Sequence, residues 1–185
     1  MKNIVVFCGS KMGNDPGLAS LTTEFGKTLA KQGYALVYGG ANSGLMGVLA
    51  DTVLQHDGTV IGIMPAVLER QERVHPSLSQ LIEVPDMAAR KTTMVETGDA
   101  FVALPGGTGT LDELFEAFTL SQIGEHHKPC AVLNLKGYFD PLLTFLKQAC
   151  DEGFLHPDYF DMLIVDDDPE CLLEKLIHFQ HPHLK

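Results

Sequence analysis

Three glycine-rich stretches, a pair of glutamates one helical turn apart and one adjacent pair of basic residues carry the chemistry this sequence offers. Glycine accounts for 18 of the 185 residues, roughly 10% against an average near 7%. The excess gathers in Gly9-Ser10-Lys11-Met12-Gly13, in Gly39-Gly40-Ala41-Asn42-Ser43-Gly44-Leu45-Met46-Gly47 and in Pro105-Gly106-Gly107-Thr108-Gly109-Thr110. Glycine lets a backbone approach a phosphate closely, and a helix that follows aims unpaired N–H groups and a positive dipole end at it. Turns from strand to helix also use glycine for packing alone, but three such loops together favour an anion site. The dinucleotide fingerprint G-x-G-x-x-G is absent after the first apolar run, and no G-x-x-x-x-G-K-[S/T] loop occurs. A mononucleotide or sugar phosphate fits better than a dinucleotide or a triphosphate.

The third loop runs into Leu111-Asp112-Glu113-Leu114-Phe115-Glu116-Ala117-Phe118. At helical spacing Leu111, Leu114, Phe115 and Phe118 form one stripe, which leaves Glu113 and Glu116 together on the other face. Glu113 admits two readings. It is a carboxylate beside an anion site, and it is also the fourth residue of Thr110-x-x-Glu113, a capping-box pattern that serves only the helix start. Arg90-Lys91, preceded by Asp86-Met87, would supply the cationic side of an anion site or else an ordinary solvated helix face. None of the eight histidines stands in a His–carboxylate set with metal-ligand spacing, so no metal is expected; His126-His127 fall in a loop, and His178, His181 and His183 near the end of the chain.

These groups need a scaffold. Apolar runs at 4–8, 35–38, 59–63, 81–84, 100–104, 130–135 and 162–165 alternate with segments of helical period. Runs apolar on both faces suit a parallel sheet covered by helices on both sides. Asp15-Pro16 opens the first helix and Gly33 stops it; further helices are expected at 43–56, 86–97, 110–123 and 139–152, with a last one opened by Asp168-Pro169. The alternation implies a single α/β domain over 1–185, a Rossmann-like doubly wound parallel sheet whose three glycine loops line one crevice outside the carboxyl ends of the strands. Hydrophobic residues at 45% and charged residues at 20% agree with a globular chain. Lys plus Arg number 13 and Asp plus Glu 24, a net charge of −11, which argues against a nucleic-acid partner but leaves a small anion open to a local nest of N–H groups. Cys8, Cys130, Cys150 and Cys171 lack metal or redox spacing and suit a reducing compartment, and the apolar run at 4–8 is too short for a signal or a membrane span, so a cytoplasmic protein is expected.

Pro105-Gly106-Gly107-Thr108-Gly109-Thr110-Leu111-Asp112-Glu113 resembles the P-G-G-x-G-T-x-x-E signature of the LONELY GUY (LOG) family, the cytokinin riboside 5′-monophosphate phosphoribohydrolases often mislabelled as lysine decarboxylases. Gly39-Gly40, Gly44-Leu45-Met46-Gly47, Ile61-Gly62-Ile63-Met64-Pro65, Met87-x-x-Arg90-Lys91 and Lys128-Pro129 follow the family's order, and the likeness runs from Phe7-Cys8-Gly9-Ser10 to Glu152-Gly153-Phe154. The resemblance implies hydrolysis of the N-glycosidic bond of a nucleoside 5′-monophosphate, without cofactor, to a free base and ribose 5-phosphate. It makes Arg90 and Glu113 the catalytic pair and Gly106 to Thr110 the phosphate loop. Gly9, Ser10, Gly39, Gly40, Gly44, Met87, Lys91 and Glu116 are the further substrate-binding candidates. It also implies a homodimer, for which Phe115 and Phe118 suit either core or contact. Two positions depart from the pattern: Ala88 stands where members commonly carry His, and Leu120 where they commonly carry Trp. Both bear on the base or the dimer contact, and the implied base is an isopentenyl-type adenine or adenine itself. A nonenzymatic nucleotide carrier on the same scaffold would need the glycine loops but not Glu113.

Overall fold

All seven apolar runs form strands; those at the centre of the sheet are buried on both faces, while in the edge strand at 80–84 Gln80, Leu81 and Glu83 stay exposed. In the computed structural model, which describes residues 1–69 and 73–182, the strands are β1 (Asn3–Phe7), β2 (Ala35–Tyr38), β3 (Val60–Pro65), β4 (Gln80–Val84), β5 (Ala100–Ala103), β6 (Cys130–Leu133) and β7 (Leu163–Asp166). They pair in parallel in the order β4-β3-β2-β1-β5-β6-β7. The helices are α1 (Pro16–Lys31), α2 (Gly44–Gln55), α3 (Ala66–Glu69), α4 (Met87–Thr97), α5 (Thr108–Gln122), α6 (Asp140–Asp151), α7 (Pro157–Asp161) and α8 (Pro169–His178), with a 3-10 turn at Leu135–Gly137. Two short helices, α3 and α7, and the 3-10 turn have too few residues to show a period in the sequence.

The sheet separates two apolar cores. One holds Ile4, Phe25, Leu36, Leu49, Val53, Leu172 and Leu173, packed by α1, α2 and α8. The other holds Val5, Phe7, Met94, Phe101, Leu114, Phe118 and Leu146, packed by α4, α5 and α6. Phe118 is therefore core, while Phe115 is only partly buried against the same cluster. Asp15 caps α1 by accepting from the Gly17 N–H, and Asp86 and Asp168 cap α4 and α8 in the same way.

The start of α5 differs from expectation. Gly107 occupies the cap position, with φ −100° and ψ −153°, and no side chain caps the helix. Thr110 is then the third residue of α5 and Glu113 the sixth, a full turn too deep for a capping box. The structural reading of Glu113 falls away. His126 lies in a loop, as expected, but is buried there, its Nε2 2.9 Å from the Ala117 carbonyl and its Nδ1 accepting from the Lys128 N–H. Its burial disfavours the imidazolium form. His183 lies outside the described residues. Among the described residues no helix is long and apolar enough to cross a membrane, and no three His, Cys, Asp or Glu side chains gather as a metal ion requires.

Candidate active site

The strand order fixes where a crevice opens. From β1 the chain moves outward through β2, β3 and β4, then returns through α4 to β5 on the other side of β1. The sheet's direction of growth reverses between β1 and β5, and the loops leaving those two strands diverge over opposite faces. They are the first and third glycine stretches, tied together by the Gly9 N–H donating to the Pro105 carbonyl at 3.0 Å. Between them lies a crevice of about 550 Å³ whose lining includes Gly9, Ser10, Met87, Arg90, Gly106 to Thr110 and Glu113.

At one end stands the N-terminus of α5. With glycine at the cap, no described protein group accepts from the Thr108, Gly109 or Thr110 N–H; the first helical bond runs from Leu111 to the Gly107 carbonyl, at 3.2 Å. Fifteen residues of aligned peptide dipoles stand behind those donors. Gly106 must be glycine, since a Cβ there would lie 2.7 Å from Thr110 Cβ and 3.0 Å from the Gly9 nitrogen. At Gly107 and Gly109 an added Cβ would meet no protein atom within 4 Å, and neither has a positive φ. Neither backbone conformation nor packing requires glycine at those two positions, so the space they leave open is available to a ligand.

Arg90 and Glu113 face each other across the crevice floor. The N-cap at Asp86 starts α4 so that Arg90 and Met94, four residues apart, share its buried face. Arg90 Nη2 lies 3.6 Å from Glu113 Oε1, with the two side chains 7% and 13% exposed. Its Nη1 donates to Met87 Sδ at 3.8 Å, and its buried Nε has no acceptor among the described residues. The guanidinium thus holds donor capacity in reserve, and a largely buried carboxylate sits beside it. Such a pair can hold an oxygen-rich ligand, stabilise developing positive charge or take a proton from water. Cys8 closes the floor; burial, with Glu113 nearby, pushes its thiol up and keeps it protonated rather than nucleophilic.

Of the second glycine stretch, Leu45 and Met46 line the crevice but its glycines do not. The Leu45 and Met46 N–H groups at the start of α2 both donate to the Gly9 carbonyl, at 3.0 and 3.4 Å, so that helix end is spent on supporting the first loop. Gly39 makes room for the Arg90 guanidinium, Gly40 has φ 82° and packs on Gly62, and Gly44 has φ 55° against the Ser10–Lys11 backbone. All three are needed by the scaffold behind the site rather than by its surface. Lys91 and Glu116 pair with each other, and neither lines the crevice; Asp112, which does, lies 3.2 Å from Lys91. That bond to Glu116 holds the Lys91 ammonium charged above its usual range. Two lining side chains carried no signal in their own neighbourhoods: Lys11, hidden in a glycine loop, and Tyr138, which arrives from a turn far along the chain.

A family model described as possible lysine decarboxylase matches residues 46–176. A cytokinin riboside 5′-monophosphate phosphoribohydrolase of Rhodococcoides fascians is 44% identical over 170 residues, covering 91% of this chain and 86% of its own. One from Arabidopsis thaliana is 39% identical over 184 residues, covering 100% and 86%. This chain belongs to the LONELY GUY family. An X-ray structure from a structural genomics consortium superimposes on this LONELY GUY chain with a TM-score of 0.72 at 26% identity, over 97% of this chain and 100% of its own. A molybdenum cofactor carrier protein from Chlamydomonas reinhardtii reaches 0.73 at 21% identity, over 96% and 99%, a likeness of fold alone. The two positions at which the LONELY GUY pattern is broken both lie outside the crevice: Ala88 is exposed, and Leu120 lines a shallow groove on the outer side of α5 with Leu111 and Phe115.

Proposed function

We propose that this LONELY GUY protein hydrolyses the N-glycosidic bond of a nucleoside 5′-monophosphate, a cytokinin riboside monophosphate or AMP, to a free base and ribose 5-phosphate. The observation that carries the reading is the uncapped N-terminus of α5 opening into the same crevice as the Arg90–Glu113 pair. The phosphate sits on the Thr108, Gly109 and Thr110 N–H groups. Glu113 holds the ribose hydroxyls and offsets the cationic character at C1′, or draws a proton from the attacking water as the bond to the base breaks. Arg90 balances the phosphate or the electron pair leaving with the base. The names of the relatives from Rhodococcoides fascians and Arabidopsis thaliana support this activity.

The test is chromatography of products after incubation with AMP, isopentenyladenosine monophosphate and the two unphosphorylated nucleosides. Base is expected from the monophosphates, with the nucleosides largely untouched. Equal turnover of adenosine and AMP would sink the phosphate-anchored reading, because three N–H donors and a helix dipole favour an anion far more than a neutral ribose hydroxymethyl group.

A substitution at Gly109 separates ligand binding from folding. Alanine has the higher helix propensity, so Gly109→Ala is expected to be as stable as the wild type or up to about 1 kcal/mol more so. Its methyl group enters the space reserved beside the N–H donors, and affinity for ribose 5-phosphate measured by calorimetry should fall by at least about tenfold, roughly 1.4 kcal/mol. Unchanged affinity would place the anion elsewhere.

The protein acts in the cytoplasm, a location the four free cysteines support. It does so as a homodimer, with the groove of Leu111, Phe115, Thr119 and Leu120 as contact surface; that groove shares Thr108 and Asp112 with the crevice. Light scattering at micromolar protein should give twice the chain mass of 20.2 kDa; a monomer mass refutes the dimer.

A further inference from the structure

The turn joining β6 to α6, residues 134–140, supplies neither of the charged groups assigned to chemistry, yet it is tied to both lips of the crevice. Its backbone is wound against steric preference: Lys136 and Gly137 lie in the left-handed region at φ 55° and 72°. For a residue with a side chain that region is uncommon, and among the described residues only Asp57 shares it. Asn134 holds the winding in place, its Oδ1 accepting from the Phe139 N–H and its Nδ2 donating to Asp140 Oδ1, each at 2.7 Å. Lys136 Nζ then donates to Asp15 Oδ2 at 2.5 Å, at the cap of α1, whose Leu18 lines the crevice. On the other lip the Tyr138 hydroxyl donates to the Gly106 carbonyl at 2.6 Å.

Tyr138 is 46% exposed. Its ring meets the Phe139 ring edge to face, at 5.2 Å between centroids, and its hydroxyl reaches out to the loop. The bond falls on the peptide between Gly106 and Gly107. With no Cβ on either side that peptide turns over at little cost, and a trans peptide points its C=O and its N–H in opposite directions. Turned one way it presents an N–H to an anion at the start of α5. Turned the other way it presents a carbonyl oxygen, which repels one.

We propose that Tyr138 is a positioning residue for the anion cradle: by holding the Gly106 carbonyl oxygen, its hydroxyl keeps the Gly106–Gly107 peptide in the orientation that leaves only donors facing the phosphate. The proposal rests on the phosphate-anchored reading and adds to it a residue that acts through the loop rather than on the substrate.

Tyr138→Phe removes one oxygen and leaves the ring. Loss of a single neutral hydrogen bond predicts that affinity for ribose 5-phosphate, by calorimetry, falls roughly five- to tenfold. KM for AMP should rise by a similar factor, kcat should fall less, and the melting temperature should stay at the wild-type value. Tyr138→His, which restores a donor on a ring, should recover part of the affinity; a merely structural ring would lower the melting temperature and leave phosphate affinity alone. Wild-type affinity for ribose 5-phosphate in Tyr138→Phe overturns the proposal. If the wild-type protein binds ribose 5-phosphate in a Tyr138-dependent way but releases no base from any monophosphate, positioning by Tyr138 stands and the hydrolytic reading falls. If the wild type does not bind ribose 5-phosphate, both fall.

Discussion

Glu113→Gln is expected to lose two to three decades in the rate of base release while the protein stays folded. The amide keeps the size and one acceptor oxygen of the carboxylate but gives up its charge and its basicity. If the carboxylate stabilises a cationic ribosyl centre or accepts a proton from water, that loss costs roughly 3–4 kcal/mol in the transition state. Stability responds far less. Glu113 is the sixth residue of α5 and caps nothing, so the helix start is untouched. What changes is the partner of Arg90, 3.6 Å away, which exchanges a carboxylate for an amide oxygen. Weakening one bond to a charged group predicts a loss under about 2 kcal/mol, no more than about 8 °C in melting temperature for a chain of this size. Single-turnover rates and a thermal melt on the same preparation check both halves. A fully active Glu113→Gln protein would send the search to Asp112, which also lines the crevice; Glu116, turned toward Lys91, is no longer a candidate.

Arg90→Ala should lose at least as much activity and, unlike the glutamine variant, should also lose stability. The guanidinium brings a positive charge to the crevice floor, fills the space Gly39 leaves open and faces a carboxylate that is only 13% exposed. Breaking a buried pair from one side typically costs about 3 kcal/mol or more, so the melting temperature should drop by roughly 6–12 °C. Arg90→Lys discriminates between charge and geometry. Lysine keeps the positive charge but presents a point charge instead of a planar fork. If the fork matters, with Nη2 directed at Glu113 and the Nε without an acceptor among the described residues, Arg90→Lys recovers most of the lost stability and little of the lost rate. Recovery of both would reduce the role of Arg90 to its charge.

The third loop was legible in the sequence as a candidate site because its main parts are local. The third loop needs no distant partner to be recognised: Gly107 takes the cap, and Thr108, Gly109 and Thr110 follow it directly with N–H groups unspent. The distinction that mattered for Glu113 was not legible, since it hung on whether α5 begins at residue 108 or 110. That two-residue difference is set by backbone dihedrals at Gly107, which a glycine leaves open. Gly39, Gly40 and Gly44 looked like phosphate-binding glycines for a related reason. A glycine that admits a ligand and one that admits a neighbouring guanidinium or backbone are alike in sequence, and only the packing of Arg90, Gly62 and Ser10 against them tells the two apart.

Sequence alone determined the parallel α/β architecture, because runs apolar on both faces have no stable home except a sheet covered on both sides, and it singled out the third loop as the candidate anion site, because glycine, helix start and carboxylate follow one another within nine residues. Tertiary structure decided which of the candidate residues share a crevice. The strand order put β1 beside β5, bringing residues 8–13 and 105–110 together across nearly a hundred positions, and it left the loop after β2 behind them as support. It decided as well that Arg90 turns inward to Glu113 while its neighbour Lys91 turns outward to Glu116, and that Tyr138 crosses to Gly106. Pairings of this kind depend on the register between elements that the sequence sets apart, and no spacing along the chain encodes them.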